Sequence, residues 1–134
     1  MMFALFAMCL ATSAVVNAGE EKKVDAALEA KVDNVLKGYN DDDHKVFFAD
    51  YAKSMAALAT EQTFKTMYVN MAKKDFGKYV SKKLIPAQTV NTGDFPLLVY
   101  EGEFEKNKKV KISVNFTKED GNFKIMQVRF DKME

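Results

Sequence analysis

Few side chains in this 134-residue chain could act as a catalytic acid or base near neutral pH. His44 is the only histidine, and Asp42, Asp43 and Asp50 lie near it in the sequence. An imidazole next to a carboxylate could act as a general base, and Asp94 is a further carboxylate candidate. Because His44 follows aspartates at a predicted helix start, a capping or surface role explains it more simply. We expect no catalytic residue. In the alternative, in which the protein is an enzyme, His44 and Asp94 are the candidate catalytic residues.

The acidic residues do not form a metal-binding pattern. Asp41, Asp42 and Asp43 are consecutive, without the spacing and the later glutamate of a calcium loop, so helix capping is favoured. Glu101 and Glu103 lie two apart beside lysines, which favours a charge ladder across strands. The only cysteine lies in the predicted leader, which excludes thiolate sites from the rest. We expect no metal ion and no cofactor.

Aromatic and methionine side chains are the residues that we assign to ligand binding. Methionine adapts to irregular shapes, and tyrosine adds a polar group to an apolar wall. Ordinary core packing is the alternative, because such stripes at helical spacing usually pack. The candidate ligand-binding residues are Tyr51, Met67, Tyr68, Met71, Tyr100 and Phe104.

The first eighteen residues contain no charged side chain and end in Val16-Asn17-Ala18. This pattern is typical of a cleavable signal peptide, which predicts a leader over 1–18 and one domain over 19–134. An uncleaved anchor, lipid attachment at Cys9 and a true start upstream of Met1 are the alternatives. We expect a secreted or periplasmic protein that is not attached to the membrane after cleavage.

The charge of the chain argues against a nucleic-acid partner. The chain has twenty basic and nineteen acidic side chains, so its formal net charge is +1. Arg129 is the only arginine, although phosphate and base recognition favour the guanidinium fork.

Helical periodicity dominates the chain before Gly77. Apolar residues spaced by three and four predict a helix from Val24 to Tyr39. A short second helix is predicted over Phe47–Met55, and Thr60 is placed to cap a third that ends at Gly77.

Beyond Gly77 the apolar period changes to two. Four strands are predicted, over 78–85, 97–104, about 109–117 and 124–130, with hairpin turns between the last three. Helices followed by a run of strands give the α+β class with an antiparallel sheet.

The order of several short motifs resembles the family called domain of unknown function 3887. The motifs are Val35–Asp43, Phe47–Tyr51, Met55, Leu58, Glu61, Phe64, Gly77–Tyr79 and Tyr100–Phe104. The resemblance covers nearly all of the chain after the leader. That family in turn resembles the cystatin-like, nuclear-transport-factor-like superfamily.

The resemblance implies a cone, in which about three helices pack on a strongly curved four-stranded antiparallel sheet, often with a cavity at the wide end. It implies no catalytic residues, because the family has no assigned activity. We expect non-catalytic binding of a small apolar or amphipathic ligand, or of a protein partner on the open sheet face. The alternative is a small cavity enzyme of isomerase, dehydratase or hydrolase type that uses His44 or a carboxylate. A homodimer through the sheet is a further expectation.

Overall fold

The computed structural model describes residues 24–133, so the predicted signal peptide lies outside the described residues. Two longer helices and one short helix precede four strands. The helices are α1 (Ala26–Asp41), α2 (His44–Phe47) and α3, which joins Glu61–Phe64, Lys65–Ala72 and Lys73–Phe76. The strands are β1 (Tyr79–Leu84), β2 (Leu97–Phe104), β3 (Asn107–Glu119) and β4 (Asn122–Lys132). Short 3₁₀ turns lie at Lys53–Met55 and Pro86–Gln88.

Helix α1 forms where the spacing of apolar residues predicts it. The Asp25 side chain caps its start by accepting a hydrogen bond from Ala27 N at 2.7 Å. Asp42 ends it in the left-handed conformation, with φ of 55°, and its N–H donates to the carbonyls of Gly38 and Tyr39. The buried apolar face comprises Leu28, Val32, Val35, Leu36 and Tyr39.

Helix α2 is shorter than the sequence predicts. The Asp43 side chain caps its start, but the helix ends at Phe47 instead of continuing toward Met55. The following backbone bonds to β4: Ile125 N donates to Asp50 O, and Ala52 N donates to Ile125 O, both at 2.8 Å. Pairing with a distant strand therefore replaces helical hydrogen bonds in this segment.

Helix α3 begins and ends where predicted but changes type in between. The Thr60 side chain caps its start by accepting from Thr63 N at 3.1 Å. Over Lys65–Ala72 the helix is a π-helix, with hydrogen bonds from each residue to the fifth before it. Gly77 ends it with a φ of 77°, which glycine adopts without steric cost.

The sheet is an antiparallel meander with strands in the order β1-β2-β3-β4. Tyr100 of β2, Ile112 of β3 and Phe130 of β4 lie side by side in the register. Alternate residues of β3 are buried beneath the helices, as the strict alternation of its sequence predicts. The α+β class, with helices and a four-stranded antiparallel sheet, is confirmed. Among residues 24–133, the two outer strands, β1 and β4, each leave one edge without a neighbouring strand of the sheet.

Candidate functional site

A groove of about 740 Å³ lies between β4 and the segment that runs from α2 through α3. Binding sites for small molecules commonly enclose 300–1,000 Å³, so this groove has the size of a ligand site. Its wall is mainly apolar, with Asp75 and Arg129 as its charged residues. The main lining residues are Phe48, Tyr51, Met55, Leu58, Met67, Tyr68, Met71 and Met126–Phe130.

Large apolar side chains are unusually exposed at this groove. Leu58, Met67 and Met71 are 54%, 50% and 58% exposed. They are half of the six large apolar residues that are exposed among those described, and they lie together along one wall. Exposed apolar residues that cluster in a concave surface mark binding sites more often than scattered ones do.

The floor of the groove is the outer edge of β4. Five consecutive residues, Met126 to Phe130, line it. Because successive side chains of a strand point to opposite faces, a cavity that touches five in a row must run along the strand's edge. The groove therefore meets backbone groups as well as side chains.

The π-helical stretch of α3 forms the opposite wall. In it Tyr68 alone is buried, whereas Met67 and Met71 face the groove. A π-helix turns less per residue than an α-helix, so the faces of α3 differ from those that a spacing of three and four predicts. Such segments occur often at functional sites.

Two tyrosines place uncharged polar groups within the apolar wall of the groove. The Tyr68 hydroxyl donates to the Val128 carbonyl of β4 at 2.8 Å. Burial raises the pKa of Tyr68 to about 12, and burial also raises the pKa of Tyr51. Both phenols are therefore neutral at physiological pH and serve as hydrogen-bonding groups rather than as acids or bases.

The structure brings four of the six predicted ligand-binding residues together. Tyr51, Met67, Tyr68 and Met71 line the groove. Tyr100 and Phe104 do not: both are buried between the helices and the sheet.

Tyr100 belongs to a polar cluster between α1 and β1. Its hydroxyl donates to Glu29 of α1 at 2.9 Å, which helps raise the Tyr100 pKa together with the larger effect of burial. Lys82 of β1 lies 5.1 Å from the centre of the Tyr100 ring and pairs with Asp33 at 2.6 Å. These contacts hold α1 on the β1 and β2 side of the sheet, whereas the groove lies at β4.

His44 and Asp94 lie apart from the groove and from each other. His44 begins α2, where its ring centre lies 6.5 Å from that of Phe64, and it lines a smaller cavity of about 270 Å³ with Asp42 and Glu61. Asp94 lies in the exposed turn before β2, with a carboxylate oxygen 3.9 Å from the Lys118 ammonium. Neither side chain lines the groove.

Sequence reasoning missed several groove residues. Phe48, Met55 and Leu58 lie in the segment that was expected to be a second helix and its connection, and Met126 lies next to the irregularity of β4. The apolar type of these residues was visible in the sequence, but their convergence depends on the pairing of Tyr51 with Ile125.

Within residues 24–133 no group of three or more His, Cys, Asp or Glu side chains could hold a metal ion. Over the same residues, no helix has the length and apolar character that crossing a membrane requires.

Comparisons of the chain with models of protein families, with curated proteins and with solved structures found no match, so the resemblance drawn from the motifs stays a prediction.

Proposed function

We propose that this protein is a non-catalytic binding domain that holds a small apolar or amphipathic molecule in the groove between α3 and β4. The observation that carries the proposal is the exposure of Leu58, Met67 and Met71 along one wall. Full burial of a side chain of this size stabilises by about 1.5–3 kcal/mol, and these three side chains are only about half buried, so each forgoes part of that stabilisation. A bound apolar molecule recovers part of that energy.

The polar groups of the groove favour an amphipathic ligand. Arg129 and Asp75 lie at the groove, and side chains of Tyr51 and Tyr68 lie within its apolar wall. A ligand with an apolar body and one polar end matches this distribution, since few polar groups suffice to orient a ligand in an apolar site.

The sequence supports a place of action outside the cytoplasm. The uncharged run of the first eighteen residues and its small-residue end are the basis for this part of the proposal. We therefore propose that the protein is secreted or periplasmic and meets its ligand there.

The enzyme alternative receives no support from the geometry. A general base must lie within hydrogen-bond reach of its substrate, and neither His44 nor Asp94 lines the groove. We therefore retain ligand binding alone.

The test is a fluorescence titration of the purified protein with 1-anilinonaphthalene-8-sulfonate, followed by displacement with dodecanoate. We expect saturable binding and competitive displacement. The variant Met71→Glu should weaken dye binding about tenfold, because it places a charge where the dye needs an apolar surface.

The matched control is Val80→Glu on the outer strand β1. Val80 is 56% exposed, close to the 58% of Met71, but it lies at the opposite edge of the sheet. Dye affinity of Val80→Glu should equal that of the wild type. Equal affinities of wild type and Met71→Glu, or no dye binding at all, would overturn the proposal.

A further inference from the structure

Methionine is concentrated at the groove. Residues 24–133 contain five methionines, and four of them line the groove. The four are Met55, Met67, Met71 and Met126, whereas Met133 does not line it. A thioether can be oxidised to a sulfoxide, which is polar. The same residues that make the wall apolar therefore make it sensitive to oxidants.

Two of the four thioether side chains are open to solvent. Met67 and Met71 are 50% and 58% exposed, whereas Met55 and Met126 are partly buried. Met67 and Met71 lie four residues apart on the π-helical stretch of α3, and both line the groove. Side chains at this spacing are neighbours on a helix surface. A dissolved oxidant therefore reaches this wall more easily than it reaches the other two methionines.

No thiol competes for an oxidant within the described part of the chain. Cys9 is the only cysteine of the chain, and it lies in the predicted leader. Over residues 24–133 the thioethers are the only sulfur groups. Sulfur is the side-chain element that peroxides oxidise most readily. The two exposed methionines are therefore the positions in these residues at which we expect a peroxide to act.

We propose that Met67 and Met71 form an oxidation-sensitive site at which a peroxide weakens ligand binding. The inference rests on the proposed function of the groove, and the proposed location outside the cytoplasm is an oxidising one. The sulfur lone pair attacks one oxygen of hydrogen peroxide, so that an S–O bond forms and the O–O bond breaks. Sulfur loses two electrons, and the departing hydroxide takes the proton of the transferred hydroxyl and leaves as water. Each methionine consumes one peroxide.

Sulfoxides in this wall oppose the binding of an apolar molecule. The S=O oxygen accepts hydrogen bonds from water, and an apolar molecule that covers it removes that water without replacing the hydrogen bond. Tyr68, which lies between the two methionines in the sequence, cannot supply the bond without losing another, because its hydroxyl donates to Val128 O at 2.8 Å. The oxidised wall should therefore bind the apolar body of a ligand more weakly.

The packing of α3 does not depend on these two thioethers. The side chains that this helix buries are Phe64, Tyr68 and Phe76. Sulfoxides at the exposed positions stay in contact with water while the groove is empty. Oxidation should therefore lower the affinity for a ligand and leave the urea unfolding midpoint unchanged, unlike oxidation of a methionine in a core.

The experiment treats the full purified protein with hydrogen peroxide, removes the peroxide with catalase and titrates with 1-anilinonaphthalene-8-sulfonate. Peptide mass spectrometry locates the added oxygen atoms. We expect oxygen at Met67 and Met71 and a dye affinity about tenfold below that of the untreated protein. Methionine sulfoxide reductases for both sulfoxide epimers, supplied with a dithiol, should restore the affinity.

A double variant assigns the effect to these two residues. Met67→Leu with Met71→Leu keeps the wall apolar and nearly conserves its volume, but it removes both thioethers. It should bind the dye as the wild type does, before and after peroxide. The matched control is Met133→Leu, which removes a methionine outside the groove and should leave the peroxide effect unchanged. An equal loss of affinity in the double variant and the wild type would overturn the inference.

Protection by a ligand is a second measurement. Dodecanoate, at a concentration that displaces the dye, should slow the oxidation of Met67 and Met71 and leave that of Met133 unchanged. The reason is that a chain bound in the groove covers the two thioethers. Equal oxidation rates of Met67 and Met71 with and without dodecanoate would contradict the proposed site.

Failure of this site and failure of ligand binding are distinguishable. Dye affinity that survives oxidation of Met67 and Met71, or a loss of affinity that urea unfolding shows to be a loss of the fold, overturns the oxidation site alone. Absence of dye binding before any peroxide is added overturns the proposed function, and this inference with it.

Discussion

The two ends of the sheet are covered by helices of different kinds. At the β1 and β2 end, α1 is a regular α-helix whose apolar face is fully buried, and charged residues tie it to the sheet. At the β4 end, α3 is π-helical over eight residues and leaves methionines exposed. One end is a closed core and the other is an open groove.

The difference shows how one sheet can serve stability and binding in separate places. Residues of α1 follow a spacing that presents one continuous apolar stripe, so the sheet beneath it is sealed. The π-helical stretch interrupts that spacing in α3, and only Phe64, Tyr68 and Phe76 of this helix are buried. The closed end stabilises the fold. The open end can therefore expose apolar surface without unfolding the protein.

The largest expected effect on stability comes from a glutamate at the closed end, and it is compared with a glutamate at the open end in a separate variant. Val32→Glu should cost about 4 kcal/mol or more of unfolding free energy, because Val32 is 0% exposed and no partner for the charge lies in the apolar face of α1. Met71→Glu should change the unfolding free energy by less than about 0.5 kcal/mol. Urea unfolding followed by circular dichroism measures both. Similar losses in the two variants would break the distinction between closed and open ends.

A methyl group at Gly38 tests how tightly the closed end is packed. A Cβ at this position would lie 2.4 Å from the backbone nitrogen of Phe47, so α1 and α2 would have to move apart. Gly38→Ala should therefore destabilise by about 1–3 kcal/mol, although alanine favours a helix. Thermal unfolding measures the loss, with Ala30→Gly on the exposed side of α1 as the control for helix propensity alone. A stabilised Gly38→Ala variant would show that the contact yields easily.

The closed end was predictable from sequence because its signals are local. The spacing of Val32, Val35 and Leu36 predicts α1, and the alternation through Ile112 predicts β3. The predicted end of the second helix was wrong because the backbone N–H of Ala52 donates to the carbonyl of Ile125, some seventy residues later in the chain. The pattern of neighbouring residues cannot predict a hydrogen bond to a strand so distant in the sequence.

The groove was predictable only in part. Tyr51, Met67, Tyr68 and Met71 were singled out by residue type, and the structure brings them together. Tyr100 has the same chemistry, but its hydroxyl bonds to Glu29 at the closed end. Residue type therefore identifies groups that suit a ligand, whereas strand register and the helix type decide which of them meet.

The smallest effect concerns the contact that ties the open end to the sheet. Tyr68→Phe removes the hydroxyl that donates to Val128 O and leaves the ring packed. At pH 8 the variant should be less stable than wild type by about 1 kcal/mol, the usual net value of one hydrogen bond. Urea unfolding of the two proteins measures the difference. No loss at pH 8 would show that water replaces the hydroxyl at no cost.

Raising the pH should shrink and then reverse that difference. Burial raises the pKa of Tyr68 from 10.0 to about 12, so above pH 10 the unfolded chain releases this proton while the folded protein keeps it. The contribution of Tyr68 to stability is therefore complete below pH 10 and is lost as the pH rises toward 12. Phenylalanine has no proton to release, so Tyr68→Phe should equal wild type near pH 11 and exceed it at higher pH. A difference that stays constant from pH 8 to pH 11.5 would mean that solvent reaches the hydroxyl through the groove and that the open end is wetter than its apolar wall implies.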